Sequence, residues 1–464
     1  MFLFPVIYIA AFISSIYYLL KDKVQGILLF FVFGLPIYTI ALSVSFMYGF
    51  RKYIPLLQSF KEIIVLVGLG YLVLALKKKL RLHLVDKLII AFFLFTALYV
   101  ILPIGKYGFI DKLLALKSLS FFVFVYFIGR LFDPKKIYIN QYFKYICAVS
   151  IAAAIVLLYE LINYQHIQTL SGYADYNYYL FNQEPSGNYG LTWTFEIEGG
   201  LKRFASFFSN PLEHSAATIL TVSILAALYT KQNNSIKLDA FGIIVLLSTI
   251  LGIVFALSRA SFVNYFLLIY IYAFITDKKI IIKIIHWSIF IALLYPFIFI
   301  KQNDLGDFLI NTFKFNSTSS LGHILGWIEG AQAIIKSPLG LGLGESGRIS
   351  GMTGENIGGE NQLVIIGVQA GVIALGLYIA VYVLLIKTSY RSFKIMKGKE
   401  RKIALALLLM KIGFIIPTIT SNFESYIYIS YISWFISGLF ITMISNRSQS
   451  ITFEPTDGKM ITIS

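Results

Sequence analysis

Charged residues are few in this chain. Asp, Glu, Lys and Arg make up 13% of its 464 residues, about half the share found in a soluble globular protein. Set against a hydrophobic share of 58% and a mean hydropathy of +0.78, that shortage excludes a fold whose only solvent is water. Cysteine is scarcer still. The single Cys147 lies in an apolar run, so no intramolecular disulfide and no cysteine-based metal centre can form, and it reads as a small buried apolar residue. The five histidines form no His-x-x-x-His or His/Cys cluster, which excludes a dedicated zinc site and leaves no expected cofactor. There is no Gly-x-Ser-x-Gly elbow and no Asp-x-Asp signature of a metal-dependent nucleotide-sugar transferase. The N-terminus lacks a basic region and a cleavage site, so residues 3–20 read as a retained span and not a signal peptide.

What is abundant is long apolar runs. A spanning helix needs about 20 mostly apolar residues. Candidate spans lie near 3–20, 26–48, 62–76, 87–104, 112–129 and 145–163, then near 211–230, 239–257, 260–276 and 281–300, and finally near 362–386, 403–420 and 425–444. The expected fold is all-α: one polytopic transmembrane helical bundle over residues 1–464 with 12–14 spans. The net charge of +16 is compatible with a nucleic-acid partner only if the basic residues gather on one surface. They sit instead in short clusters between apolar runs, so nucleic acid is not an expected partner.

Those clusters orient the chain by the positive-inside rule. Lys21 and Lys23, then Lys77, Lys78, Lys79 and Arg81, then Arg130, Lys135, Lys136 and Lys144, then Lys278, Lys279 and Lys283, and the set from Lys387 to Lys402 all fall in alternate connections. With these inside, two long loops, 164–210 and 301–361, lie outside, and the tail from Asn446 is a mobile cytoplasmic end. The first loop carries Tyr173, Tyr176, Tyr178, Tyr179, Trp193 and Phe195, which suit stacking on sugar faces or an interfacial aromatic belt. In the second loop, His323 to Lys336 has helical spacing. Ile324, Trp327, Ile328, Ala331, Ile334 and Ile335 would line one side of a helix at the membrane surface, ended by Pro338 and Gly340.

Several polar residues at these outer boundaries are candidates for chemistry. Arg203 precedes Asn210-Pro211, an N-cap followed by a first-turn proline, so a guanidinium and a helix N-terminus converge on a place that favours an anion. The alternative is an ion pair with Glu196 or Glu198. Arg259 stands in a very short connection between two apolar runs, where it either grips phosphate oxygens from a polar cavity or snorkels to the interface. Gly340, Gly342 and Gly344 alternate in PLGLGLGESG; lacking a Gly-Lys-Ser/Thr ending they form no Walker loop, but they permit close backbone passage and offer N–H groups to an anion. Glu360, before the N-cap candidate Asn361, is a partly desolvated carboxylate suited to a general base, or a helix-dipole partner.

In this order the pieces resemble the bacterial O-antigen polymerase and O-antigen ligase family. Arg203 to Asn210-Pro211 is similar to its Arg-led segment ending in Asn-Pro, Ser258-Arg259-Ala260 to its Ser-Arg-Gly/Ala motif, and Trp327 through the glycine run to Glu360-Asn361-Gln362 and Ala370-Gly371 to its long outer loop. The family commonly has His where this chain has Glu360, and Arg near His323, differences that lean away from the ligase branch. The resemblance implies a multi-pass protein of the bacterial inner membrane that polymerises undecaprenyl-diphosphate-linked repeat units by metal-independent, inverting glycosyl transfer on the outer face. The alternatives are ligation of a finished glycan to lipid A or another acceptor, and, in a different class, a lipid-linked glycan flippase. It implies lipid-linked oligosaccharide substrates, membrane lipid, a chain-length regulator and a flippase as partners. Arg203, Arg259, Glu360 and His323 would be catalytic, with substrate contacts at Trp193, Asn210, His214, Trp327, Gly342, Gly344 and Asn361.

Overall fold

A computed structural model describes residues 1–75, 80–197, 200–299, 318–353 and 356–452. Lys77, Lys78, Lys79, Glu198, the first part of the second outer loop (301–317) and the tail from residue 453 lie outside the described residues. All thirteen apolar runs coincide with helical segments. Four N-terminal helices are α1 (Leu3–Leu20), α2 (Val24–Met47), α3 (Arg51–Leu74) and α4 (Leu84–Ile101). A pair bent by 47° follows, α5 (Phe109–Ser120) and α6 (Phe122–Leu131), and then α7 (Ile139–Asn163). After the first outer loop come α8 (Pro211–Tyr229), the shorter α9 (Ala240–Phe255) and α10 (Arg259–Ile275), and α11 (Lys279–Phe299). The second loop holds α12 (Thr318–Lys336), and the bundle closes with α13 (Gln362–Ile395), α14 (Gly398–Thr420) and α15 (Ile427–Thr452). Nine of these are long and apolar enough to cross a membrane, ten if the bent pair is one span, among the described residues. The protein is an all-α, multi-pass helical bundle, with isolated bridges but no strand among the described residues.

The helix ends follow the local chemistry. Asn210 caps α8 by accepting from the Glu213 N–H at 2.9 Å, with Pro211 in the first turn. Asp239 and Ser258 cap α9 and α10 in the same way. α2 contains a π-helical stretch, Phe30–Gly34, directly before Pro36. α15 continues to Thr452, so Asn446 is helical and does not begin a loose tail.

Packing in the interior rests on small residues and one enclosed ion pair. α6 and α15 cross backbone to backbone. A Cβ on Gly129 would stand 2.1 Å from the Phe435 carbonyl oxygen, and one on Gly438 2.0 Å from that of Tyr126. Beside this crossing Arg130, 2% exposed, donates to both Asp86 oxygens at 2.9 and 3.1 Å through Nε, and Tyr126 donates to Asp86 at 2.6 Å.

Hydrogen bonds sort the connections into two sets. The connections rich in basic residues are tied to one another: Arg130 donates to the Arg81 carbonyl and Tyr142 to that of Gln25. Lys399 donates to Pro134 and Ile137, and Arg401 to Lys231. The other connections are likewise tied together, through Gln58 to Tyr176, the Lys106 N–H to Glu345, Arg203 to Ala256, and the Gln362 N–H to Ser421.

α12 differs from its expected pattern. It starts at Thr318, earlier than expected, and the side it packs is built from His323, Ile324, Gly326, Trp327, Gly330, Ala333 and Ile334. Ile328, Ala331 and Ile335 are exposed, as is Leu325. The reason is steric. Gly330 meets the Gly358 backbone and Val364 so closely that the glycine edge, not the bulkier aliphatic edge, turns inward.

Candidate functional site

The first outer loop is anchored at both ends by one carboxylate. Glu160, fully buried at the end of α7, accepts from the Ile167 N–H and the Ser206 N–H, both at 2.9 Å. Gln168 donates to the carbonyls of Ser206 and Phe208 at 2.8 Å. Arg203 is fixed within this frame. Its N–H donates to the Phe195 carbonyl at 2.8 Å, the next N–H to Phe255 at 3.0 Å, and its Nε to Ala256 at 3.0 Å. Ala256 belongs to the tight α9–α10 connection, in which Leu257 takes a left-handed φ of 46° and Arg259 opens α10. The two arginines are thus held at one connection.

Glu196, a proposed ion-pair partner of Arg203, is engaged elsewhere. It accepts from the Asn188 N–H at 3.0 Å and from its Nδ2 at 2.9 Å. Burial lowers the pKa of Arg203 to about 10; Tyr426 and Glu360 raise it, and Arg259 lowers it. Arg203 therefore remains cationic at neutral pH, and Tyr426, Glu360 and Arg259 all lie within its electrostatic neighbourhood. Burial, then the charge of Glu360, pushes the Tyr426 hydroxyl well above the usual phenol range. Tyr426 is accordingly a neutral phenol in the electrostatic surroundings of Arg203.

Glu360 comes from a different segment, the turn before α13. Gly358 and Gly359 adopt φ of 83° and 67°, a turn suited to glycine, and pack on Gly330 and Gly326 of α12. Asn361 then caps α13, accepting from Leu363 and Val364 N–H groups at 2.9 and 3.2 Å. Glu360 is exposed, contrary to the partly desolvated placement expected of it; the desolvated member of the cluster is Arg203. A carboxylate in front of a capped helix and beside a solvent-accessible opening can still take a proton from a bound hydroxyl.

The other candidates are placed unevenly. His214 is 3% exposed, stacked on Phe208 at 5.3 Å, with Nδ1 3.3 Å from the Phe204 carbonyl; it braces the loop against α8 from inside. Asn210 acts as the helix cap. Gly342 and Gly344 do not form an anion cradle: their N–H groups are taken by the Gln369 carbonyl at 3.1 Å and the Gln369 side chain at 2.9 Å. They serve close packing instead, since a Cβ on Gly342 would meet the Ile104 carbonyl at 2.6 Å. His323 and Trp327 lie on the packed side of α12, and the Trp327 indole N–H is buried without an acceptor among the described residues. Trp193 is 68% exposed on the first loop.

Sequence reasoning missed Tyr426, whose Ser-Asn-Phe-Glu-Ser-Tyr setting does not separate it from many other tyrosines near helix ends.

No protein-family model and no curated protein matches this chain. The functional reading therefore rests on residues and geometry. Two guanidinium groups, a neutral phenol and an exposed carboxylate in one neighbourhood suit an anionic leaving group paired with a proton acceptor.

Proposed function

We propose that the protein transfers oligosaccharide from a polyprenyl-diphosphate carrier to a hydroxyl of a second lipid-linked repeat unit, in the manner of an O-antigen polymerase. The site faces the outside of a bacterial inner membrane. The observation that carries this reading is the hydrogen bond that ties Arg203 to the connection from which Arg259 opens α10, with Glu360 and Tyr426 in the electrostatic surroundings of Arg203. In the proposed step the acceptor oxygen bonds to the anomeric carbon as the bond from that carbon to the diphosphate oxygen breaks. The electron pair leaves with the diphosphate, where Arg203, Arg259 and the Tyr426 hydroxyl meet the growing negative charge. The acceptor's proton passes to Glu360. Attack on the face opposite the leaving group inverts the anomeric configuration. His323, on α12, is assigned a supporting role.

The purified protein with lipid-linked repeat units is expected to lengthen the glycan in the presence of EDTA. Arg259→Ala is expected to slow this by about 100-fold or more, with folding unchanged by thermal unfolding. An Arg259→Ala protein that polymerises normally contradicts the site. A wild-type protein that joins finished glycan only to a non-repeat acceptor favours ligation instead.

A further inference from the structure

Inside the bundle, one ammonium group is held without an acceptor. Lys411 of α14 is fully buried, and its Nζ meets no hydrogen-bond partner among the described residues. It lies instead over two aromatic faces, 3.7 Å from the ring centre of Trp434 on α15 and 4.5 Å from that of Tyr382 on α13. Such faces attract a desolvated cation. The matching anion is Glu424, 8% exposed, in the connection 421–426 between α14 and α15. Its oxygens accept from Tyr378 of α13 at 2.6 Å, from Ser430 of α15 at 2.5 Å and from the Trp434 indole N–H at 3.1 Å. Glu424 acts electrostatically on Lys411. Trp434 thus joins the two charges: its ring face receives Lys411 and its N–H donates to Glu424. Phe122 of α6 stacks on the same ring at 4.3 Å, so four helices pack the pair.

An ionisable pair inside a membrane bundle is costly, and apolar residues in its place are often as stable or more so. What the pair holds in place is therefore informative. The Glu424 N–H donates to the Gln362 side-chain oxygen at 3.1 Å, and the Gln362 N–H donates to the Ser421 carbonyl at 3.2 Å. The first residue of α13 is thereby clasped twice to the α14–α15 connection. Glu360 stands two residues before Gln362, and Tyr426 two residues after Glu424. The charge of Glu360 acts on Tyr426. The Glu424 side chain is thus fixed by the bundle interior, while its backbone fixes the two segments that carry Glu360 and Tyr426.

We infer that Lys411 and Glu424, bridged by Trp434, are a positioning pair, which locks the α14–α15 connection to the start of α13 and so holds Tyr426 and Glu360 in register for transfer. This assignment rests on the transferase reading of that site. Both residues act through Gln362 and the connection 421–426, not by touching substrate.

The test uses the full chain in nanodiscs, with hydrogen exchange, thermal unfolding and transfer kinetics on lipid-linked repeat units. An amide offers one acceptor oxygen where the carboxylate offers two, so the donors Tyr378, Ser430 and Trp434 cannot all be satisfied by glutamine. Glu424→Gln is expected to raise exchange about tenfold or more over 361–363 and 421–426, with the α9–α10 connection unchanged. Its kcat should fall about 10- to 100-fold while KM for each lipid-linked substrate stays within about twofold, because the lost contacts orient groups and do not bind substrate. Lys411→Met combined with Glu424→Gln removes both charges. It is expected to recover the unfolding midpoint that Glu424→Gln alone loses, but not kcat, and it carries the test even where the single variant does not fold. Recovery of kcat together with the midpoint would make the pair purely structural and overturn the inference. Unchanged exchange over 361–363 and 421–426 in the variants would overturn it too. Raised exchange at both segments, with no transfer in any protein including wild type, would retain the pair as a clasp and reject the transferase reading.

Discussion

At the scale of single residues, burial decides which polar groups are available for chemistry and which hold the frame. Arg203 is desolvated yet keeps its charge, because a pKa lowered to about 10 is still well above neutrality. His166 shows the opposite outcome. It is 1% exposed, ringed by Tyr189, Phe195 and Phe204 at 5.2–5.6 Å. Burial, with a smaller contribution from the Lys202 charge, lowers its pKa from 6.5 to about 4. A histidine whose folded pKa is depressed is stabilising while neutral. Its contribution is complete above about pH 6.5 and is lost as pH falls toward 4, an effect on the order of 3 kcal/mol. The first outer loop should accordingly gain hydrogen exchange between pH 6.5 and 4, and His166→Phe should remove most of that dependence. Equal protection at pH 7 and pH 4.5 in the wild type would refute a buried neutral imidazole.

Among elements, glycine sets how closely helices approach. At the α6–α15 crossing a Cβ on Gly129 would strike the Phe435 carbonyl at 2.1 Å, and that obstacle is backbone, which cannot rotate aside. Gly129→Ala is therefore expected to cost about 1–3 kcal/mol or more and to lower the unfolding temperature in detergent; an unchanged midpoint would mean the helices cross elsewhere. Gly371 does related work in α13. Its φ of 75° breaks the helix, freeing the Val368 and Gln369 carbonyls to receive Leu341 and Gly342. The sequence made the glycine run visible but not its partner, so its N–H groups looked available to a ligand. The partner lies across a tertiary contact with the kink at Gly371, which spacing alone cannot reveal. The caps were different: Asn210, Ser258 and Asn361 act on N–H groups two or three residues away, and such local chemistry is legible in sequence.

For the whole molecule, alternation of positive charge carried much of the information. It separated the connections into two sets, and hydrogen bonds tie the members of each set together. Each hydropathy run fell on a helix, yet hydropathy did not foresee that two of the runs form helices shorter than a full span, or that the run over 112–129 is bent at Phe121. Arg203, Arg259 and Glu360 were legible as three polar residues in connections of one set. Tyr426 was not, because its proximity depends on α14 and α15 meeting at one end.

The central claim is that Arg203 and Arg259 grip one diphosphate together. Undecaprenyl-diphosphate binding by Arg203→Ala, Arg259→Ala and the double variant tests it most directly. Each single change is expected to weaken binding about tenfold or more, and the double change to add much less than the product of the two, as for groups that share a ligand. Wild-type affinity in both single variants, or fully independent losses, would contradict it.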